Sequence, residues 1–321
     1  HRFPRRVRGA RDRGFGMNAT PALSVVVPTY RRPRLLRRCV ASLVEQDAGA
    51  AFEVVVVDDG SGDETPQVLV ALSREHPGVV VPHVQPRNTG PAAARNRALE
   101  TARAPLVLFV DDDVAAAPGL LATHLRLHAE AADPMLGILG RVDWHPDLTI
   151  STFMRWLDRS GLQFGYDTWL TEGPVQPPYA AFYTANLSMP RALLTDAGGF
   201  DERFPHAAYE DMELAFRLTE RGFRLDYRPA ALAWHMRSME LGSFATRMAK
   251  VGESAGLLRA AAPEFPIDDA TLRAAWRPRR VRWALHARAA RGDEQARDLW
   301  YWATIAAAYA HGGRQAPSNR P

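Results

Sequence analysis

The feature of this 321-residue sequence that most constrains its fold is a series of short apolar runs, each ending in polar residues and followed by a helical segment. The runs are rich in Val, Leu and Ile without polar alternation, which is typical of strands buried on both faces. We expect such buried strands at Leu23–Pro28, Phe52–Val57 and Leu106–Val110, and further strands at Val79–Val84 and Ile138–Val142. Their alternation with helices predicts right-handed βαβ units and an α/β fold with a mostly parallel central sheet flanked by helices.

The helical segments carry apolar residues at helical spacing. In the first half they are predicted at Arg34–Gln46, Glu64–Arg74, Ala92–Arg103 and Gly119–Ala131. After a less regular stretch at 144–190, we expect a helix at Met212–Arg221 and strands at Phe182–Met189, Arg224–Tyr227 and Ala231–His235. The remaining pattern predicts helices at Ser243–Ala260, Ala270–Ala290 and Glu294–Ala310, and a frayed tail from Gly312 to Pro321.

Polar clusters follow several of the predicted strands directly. They are Thr29-Tyr30-Arg31, Asp58-Asp59, Asn88 and Asp111-Asp112-Asp113. Ligands of open parallel sheets bind at the carboxyl ends of the strands. The sequence therefore predicts a ligand site at this edge of the sheet.

The net charge of +4 is unevenly distributed. Residues 1–16 hold six Arg and one Asp, and residues 270–321 hold ten Arg against three acidic residues. The intervening segment has 24 basic and 32 acidic residues, so the body of the protein is acidic. A groove for a nucleic-acid backbone needs the opposite balance, so we expect no nucleic-acid partner. An acidic body that handles an anionic substrate needs a bridging cation.

Targeting signals are lacking in the sequence pattern. No stretch reaches the roughly 20 apolar residues of a spanning helix, and residues 1–16 have no apolar core of a signal peptide. We interpret residues 1–16 as a disordered upstream extension or an expression remnant. Cys39, the single cysteine, cannot form an internal disulfide and is expected to be buried and inert. We expect a cytoplasmic protein, or one peripheral at the inner face of the membrane.

Three adjacent carboxylates, Asp111 to Asp113, end the apolar run at Leu106–Val110. They repel each other unless a cation binds, and hard oxygen ligands suit Mn²⁺ or Mg²⁺ held together with substrate phosphates. A helix cap would need only one Asp. We therefore expect a metal site here.

Other polar residues have a structural as well as a functional interpretation. Asp58-Asp59-Gly60-Ser61 is a good turn sequence, and Glu210 and Asp211 are acids favourable at a helix start. Functionally, Asp211 is a candidate general base for an acceptor hydroxyl. His235 ends a predicted strand and is a candidate metal ligand beside the acidic cluster.

In their order along the chain, these segments resemble the family 2 glycosyltransferases with the A-type nucleotide-sugar-binding fold. The matching segments are Ser24–Arg31, Val57–Ser61, Asn88–Asn96, Phe109–Asp113, Gly199–Phe204, Glu210–Leu218 and His235. The resemblance covers about residues 22–240. It implies a Rossmann-like nucleotide-sugar-binding half at 22–115 and an acceptor and catalytic half at 116–240, within a catalytic domain at 17–240. A C-terminal helical region at 241–321 would follow.

The resemblance also implies roles for individual residues at the donor end. Tyr30 would stack on the donor base, and Pro28, Thr29 and Arg31 would shape its pocket. Asp58 would accept a hydrogen bond from a pyrimidine, which favours a UDP- or dTDP-sugar. The remaining nucleotide contacts would come from Asn88, Arg95, Asp111 and Asp112.

At the reaction centre, the resemblance implies a DxD motif formed by Asp111 and Asp113. Asp113, together with His235, would hold Mn²⁺ or Mg²⁺. Asp211, supported by Glu210, would be the catalytic base of a single displacement with inversion.

The acceptor is not specified by the sequence: a small molecule, a glycan and a lipid-linked acceptor all remain open. Aromatic residues at 144–185 could stack on sugars or belong to the core. The C-terminal Arg- and Trp-rich helices could rest on an anionic membrane, form a homodimer, or cover the core.

Two other functional classes stay open. A nucleotidyltransferase of the sugar pyrophosphorylase kind would share the sheet and the metal. It would place a Gly-rich loop with Arg and Lys after the first strand, where this chain has Thr29–Pro33. A non-catalytic sugar-binding module is the third class.

Overall fold

A computed structural model of the chain describes residues 20–315. The expectation for residues 1–16 lies outside the described residues, as does the predicted tail after Gln315.

The described residues contain nine strands and eleven α-helices. The strands are β1 Leu23–Thr29, β2 Phe52–Asp58, β3 Val80–Val84, β4 Leu106–Val110, β5 Val114–Ala116, β6 Leu136–Trp144, β7 Gly173–Pro174, β8 Asn186–Pro190 and β9 Arg224–His235. The helices are α1 Pro33–Val44, α2 Thr65–Glu75, α3 Pro91–Thr101, α4 Leu120–Ala131, α5 Thr152–Ser160, α6 Arg191–Asp196, α7 Glu210–Thr219, α8 Leu241–Ala261, α9 Ala270–Ala275, α10 Arg279–Ala289 and α11 Glu294–Gln315. A short 3₁₀ helix covers Pro178–Ala181.

All nine strands belong to one sheet. Its order is β3-β2-β1-β4-β8-β6-β9-β5, with β7 paired to β9. Strands β1 to β4, β6 and β9 run in one direction, whereas β5, β7 and β8 run against it. The prediction of a mostly parallel central sheet flanked by helices is confirmed.

Of the strands predicted from apolar runs, β1, β2, β4 and β6 lie inside the sheet, whereas β3 is an edge strand and only partly buried. Every residue of β4 is buried, and so are the four consecutive valines of β2 at 54–57. Helices cover both faces there, and Cys39 of α1 is fully buried as expected. Because β1, β2 and β4 are adjacent and parallel, their carboxyl ends lie side by side.

Several predicted elements differ from the structure. The two strands expected at 224–227 and 231–235 are one strand, β9, whose pairing with β6 shifts register at a bulge after Gly140. The helix expected at Ala270–Ala290 is divided into α9 and α10, because Pro278 cannot continue a helix. The last helix extends to Gln315, so the frayed tail does not begin at Gly312.

Helix α5, within the stretch that the sequence left irregular, forms the centre of a second core. Its Phe153 and Trp156 pack on Tyr301 of α11, with ring centroids 5.2 Å apart in both pairs. Phe244 of α8 joins the same cluster. The C-terminal helices α8 and α11 are therefore attached to the body of the protein by apolar packing. Within residues 20–315, no helix is long and apolar enough to cross a membrane.

Candidate active site

The carboxyl ends of β1, β2 and β4 bring the predicted polar clusters together. Thr29 pairs with Asp58 in the register of β1 and β2. The hydroxyl of Thr29 donates to Asp112 Oδ2 at 2.7 Å, and the amide of Arg31 donates to Ser61 Oγ at 2.8 Å. These contacts link the three strand ends into one surface.

The two aspartates after β2 have different partners. Asp58 is fully buried and accepts hydrogen bonds from the amide and hydroxyl of Ser61. Burial raises the pKa of Asp58, although the Ser61 hydrogen bonds oppose the shift.

Asp59 holds the loop that follows β3. Its carboxylate accepts from Gln85 Nε2 at 2.9 Å and from the amides of Thr89 and Gly90, both at 2.8 Å. Asn88 is exposed in this tethered loop. Sequence reasoning gave Asp59 no role of its own, because its partners lie about 30 residues away.

Tyr30 and Arg31 lie at the surface beyond β1. The Tyr30 side chain is exposed, and the Arg31 guanidinium lies 5.1 Å from its ring centroid. Arg31 is itself fixed, because its Nε donates to the carbonyl oxygen of Ser61 at 2.9 Å. Pro28, just before them, is partly buried. An exposed aromatic ring next to a fixed guanidinium is a suitable platform for a planar base.

The three carboxylates of 111–113 point to three different environments. Asp112 is buried between Thr29 and Arg32, whose Nη1 donates to Asp112 Oδ1 at 2.7 Å. Burial and the neighbouring Asp113 raise the pKa of Asp112 to about 6, although Arg32 opposes the shift. Asp111 is the most exposed of the three and lies 3.4 Å from Arg95 Nη2. Sequence reasoning assigned no role to Arg32.

Asp113 and His235 form the candidate metal pair. Asp113 Oδ2 and His235 Nε2 are 3.8 Å apart, and two ligands of one octahedral cation lie about 3 to 4 Å apart. His235 Nδ1 faces the backbone of Arg237, at 2.8 Å from its carbonyl oxygen and 3.3 Å from its amide nitrogen, so Nε2 is the ring nitrogen that faces Asp113.

The donor set suits a cation that substrate phosphates also bind. The part of the chain at 20–315 contains no cluster of three or more His, Cys, Asp or Glu that could enclose a metal alone. Mn²⁺ and Mg²⁺ use few protein ligands when nucleotide phosphates complete their coordination. Arg32 Nη1 donates to the same Asp113 Oδ2 at 2.9 Å, so the oxygen that faces His235 also has an arginine partner.

Glu210 and Asp211 begin α7, as the sequence suggested. Tyr209, just before them, has a left-handed φ of 70°, which is uncommon for a residue with a side chain. Glu210 is buried and accepts from Arg95 Nη1 at 2.7 Å. Burial and the adjacent Glu210 raise the pKa of Asp211 to about 7, although Arg95 opposes the shift.

A cavity of about 760 Å³ opens beside these carboxylates. Arg95, Asp111, Glu210 and Asp211 line one end. The aromatic residues along its walls are Phe164, Trp169, Tyr179, Tyr183, Tyr209 and Phe265. Trp156 and Phe182, from the same aromatic-rich stretch, are buried in the core instead.

The C-terminal helical region completes the cavity, which sequence reasoning did not foresee. Arg247, Met248 and Val251 of α8 line it together with Ile267 and Leu272. Arg247 Nη1 donates to Gln163 Oε1 at 2.9 Å. The lining thus joins charged and polar groups to apolar walls, as in many small-molecule sites.

Comparison with known proteins identifies the family to which this chain is similar. Residues 24–186 match the family model described as glycosyl transferase family 2. Validoxylamine A glucosyltransferase of Streptomyces hygroscopicus subsp. limoneus is 33% identical over 224 residues, which are 63% of this chain and 49% of that protein. Pre-mycofactocin glycosyltransferase of Mycobacterium tuberculosis is 32% identical over 75% of this chain and 48% of its own length. The chain therefore spans about half the length of these relatives.

Solved structures share the fold. Mannosyltransferase PcManGT from Pyrobaculum calidifontis, in complex with GDP-Man and Mn²⁺, aligns over 93% of this chain and 88% of its own, with a TM-score of 0.58 and 20% identity. Residues 1–349 of S. aureus TarS, in complex with UDP, align over 93% of both chains, with a TM-score of 0.52 and 18% identity.

Proposed function

Because the chain belongs to glycosyl transferase family 2, we propose that it transfers a sugar from a nucleotide-diphosphate sugar to an acceptor hydroxyl, with Asp211 as the general base. The observation that carries this proposal is the position of Asp211 in the cavity that Asp111 and Arg95 also line. A base there faces the space in which a sugar donor and an acceptor would meet.

The protonation behaviour of Asp211 supports the role. A carboxylate with its pKa near neutrality is ionised enough to act at physiological pH and basic enough to accept a proton from an attacking hydroxyl. Glu210 cannot take this part, because it is buried against Arg95. We assign Glu210 to positioning the start of α7.

The donor nucleotide would bind across the carboxyl ends of β1 and β2. Tyr30 offers an exposed ring for base stacking. We keep Asp58 as the proposed acceptor for a pyrimidine; because its carboxylate is fully buried and hydrogen-bonded to Ser61, that contact must open for the base to bind. We propose UDP- or dTDP-sugars as the donors. Both GDP-Man and UDP occur in the fold relatives, so a donor screen must include guanosine nucleotides.

Asp113 and His235 would hold Mn²⁺ or Mg²⁺ beside the donor diphosphate. A bound cation stabilises the negative charge of the departing nucleotide diphosphate. Arg32 and Arg95 fix the carboxylates around that position.

The reaction would be a single displacement with inversion. Asp211 removes the proton of the acceptor hydroxyl while its oxygen attacks the anomeric carbon from the face opposite the leaving group. The bond between the anomeric carbon and the diphosphate oxygen breaks, and the nucleotide diphosphate leaves.

The cavity between α7 and the C-terminal helices is the proposed acceptor site. Two relatives are named for validoxylamine A and pre-mycofactocin, and these names describe the relatives rather than this chain. For this chain we propose a hydroxylated molecule that packs against the aromatic walls at Trp169 and Tyr183.

The test is a screen of UDP-, dTDP- and GDP-sugars with MnCl₂ that reads the released nucleotide product. Release of nucleoside diphosphate together with a glycosylated acceptor supports the proposal. Release of nucleoside triphosphate when pyrophosphate is added indicates a nucleotidyltransferase instead. The Asp211→Asn variant should bind UDP like the wild type but lose transfer. Asp147→Asn, at an exposed residue, is the matched control and should retain it.

A further inference from the structure

The segment from Trp276 to Trp283 forms the most exposed mixture of aromatic and basic side chains in the C-terminal region. Its sequence, Trp-Arg-Pro-Arg-Arg-Val-Arg-Trp, runs from the end of α9 into α10. The exposed fraction is 73% for Trp283 and 45% for Trp276, values that are high for so large an aromatic side chain. We call these eight residues the basic-aromatic segment.

The positive charge of this segment is not neutralised within the described chain. Among residues 20–315, none of its four arginines lies within 4.0 Å of a carboxylate, in contrast to the nearby Arg273 and Arg288, which pair with aspartates. Arg277 and Arg282 donate only to backbone carbonyl oxygens. The segment therefore presents uncompensated charge to its surroundings.

The neighbouring helix α11 also has an exposed apolar side chain. Leu299 of α11 is 47% exposed, and α11 packs along α10, with the rings of His286 and Trp300 4.5 Å apart. No residue of α10 is buried, although α10 is a regular helix. A helix that keeps its Trp in solvent beside unpaired Arg has the pattern of an interfacial element, with rings at the headgroup level and guanidinium groups among anionic lipids.

We propose that the basic-aromatic segment docks this protein onto an anionic lipid bilayer. Charge complementarity selects a negatively charged surface, and the two tryptophans favour an interface with an apolar interior over a purely polar polyanion. A single short segment gives weak, reversible attachment.

The segment is close to the reaction cavity. Leu272, one helical turn before Trp276, lines the cavity. Docking at Trp276 and Trp283 would bring the cavity proposed as the acceptor site near the membrane surface. This consequence rests on the proposed function, whereas the docking itself does not.

The experiment is co-sedimentation of the full chain with vesicles of phosphatidylcholine alone and of phosphatidylcholine mixed with phosphatidylglycerol. We expect binding to the anionic vesicles only, weakening as salt is added. Arg279→Gln/Arg280→Gln should lower the partition coefficient by about tenfold or more, since each basic residue contributes about 1 kcal/mol near an anionic surface. Trp276→Ala/Trp283→Ala should lower it on the same vesicles without changing the net charge.

The matched control is Arg34→Gln/Arg38→Gln, which removes the same charge from exposed positions of α1. Equal loss of binding in this control, or no binding of the wild type to anionic vesicles, overturns the proposal. So does binding to single-stranded RNA that depends on the segment while vesicles are not bound. Because glycosyl transfer in solution is measured separately, failure of docking leaves the proposed function intact, and failure of transfer leaves docking intact.

Discussion

The guanidinium of Arg95 and the carboxylate of Glu210 form a buried ion pair, with Nη1 and Oε1 2.7 Å apart, between α3 and the first residue of α7. The same guanidinium reaches Asp111 at 3.4 Å. One cation therefore fixes the start of α7, where Asp211 lies, relative to the end of β4. We infer that the geometry of the base depends on this pair.

Replacing Glu210 by Gln should destabilise the protein strongly. The change leaves the buried charge of Arg95 without its main partner, which costs about 3–5 kcal/mol in comparable cases. The double variant Arg95→Gln/Glu210→Gln should recover part of this loss, because neither charge then remains unpaired. Urea denaturation measures both. Glu130→Gln, in the exposed pair with Arg126, is the control and should change stability by less than about 1 kcal/mol.

The rate of transfer should depend on pH through Asp211. Only the ionised carboxylate can accept a proton, so kcat/KM should rise with pH and reach half its plateau near pH 7. Because burial favours the neutral acid, the stability that Asp211 contributes is complete below about pH 4 and is lost as pH rises through about 7. The free energy of unfolding of the wild type should therefore fall relative to that of Asp211→Asn as the pH rises from about 4 to about 7. A kcat/KM profile that is flat between pH 5 and 8 would contradict the assignment.

Removal of divalent metal should weaken donor binding. If Asp113 and His235 hold a cation that bridges to the diphosphate, EDTA should lower the affinity for UDP by at least about tenfold, and MnCl₂ should restore it. Asp113→Asn should bind UDP weakly in either condition. Asp63→Asn, at an exposed aspartate of the neighbouring turn, should behave like the wild type. Calorimetric titration with UDP measures all three, and equal affinities with and without EDTA would exclude this role of the pair.

Arg247 should strengthen binding of the donor diphosphate. It lines the cavity from α8, its hydrogen-bond partner is the neutral Gln163, and no carboxylate in the described range 20–315 lies within 4.0 Å of it. Arg247 is exposed where it lines the cavity, so an incoming phosphate can form charge-assisted hydrogen bonds with its guanidinium. Arg247→Gln should weaken UDP binding by about tenfold while UMP binding changes less. Lys250→Gln, exposed on the same helix, should have no effect on either nucleotide.

The centre of the sheet was predictable because β1, β2 and β4 are buried on both faces and therefore leave continuous apolar runs in the sequence. Strand β5 has only three residues and leaves no such signal. Helix α5 does carry Phe153, Trp156 and Leu157 at helical spacing, but it is a short helix within an aromatic-rich stretch that sequence reasoning left irregular. The chain direction then places Asp58 and Asp111 at one edge, which the βαβ pattern is sufficient to predict.

The partners of individual site residues were not predictable in the same way. Asp59 holds a loop 30 residues away, and Arg32 pairs with carboxylates 80 residues away. Such contacts depend on how the elements pack in three dimensions. The contribution of α8 to the cavity has the same origin, since Arg247 meets Gln163 across 84 residues of chain.

The attachment of α8 to α11 should depend on two glycines where the helices cross. A Cβ at Gly252 would overlap the carbonyl oxygen of Tyr309, and one at Gly312 would overlap that of Ala249. Ala at either position forces the helices apart, and overpacking of this kind costs about 1–3 kcal/mol. Gly242, near the start of α8, has open space where a methyl group would be added, so Gly242→Ala should be neutral or stabilising.

Thermal unfolding measures the difference, and Gly252→Ala should lower Tm by several degrees relative to Gly242→Ala. Because Gly252 adjoins Val251 of the cavity wall and lies on the helix that carries Arg247, the same variant should also raise the KM for the acceptor. A Gly252→Ala protein with unchanged Tm and unchanged KM would show that the helix crossing is not needed to shape the cavity. A fall in Tm with unchanged KM would restrict the crossing to a role in stability.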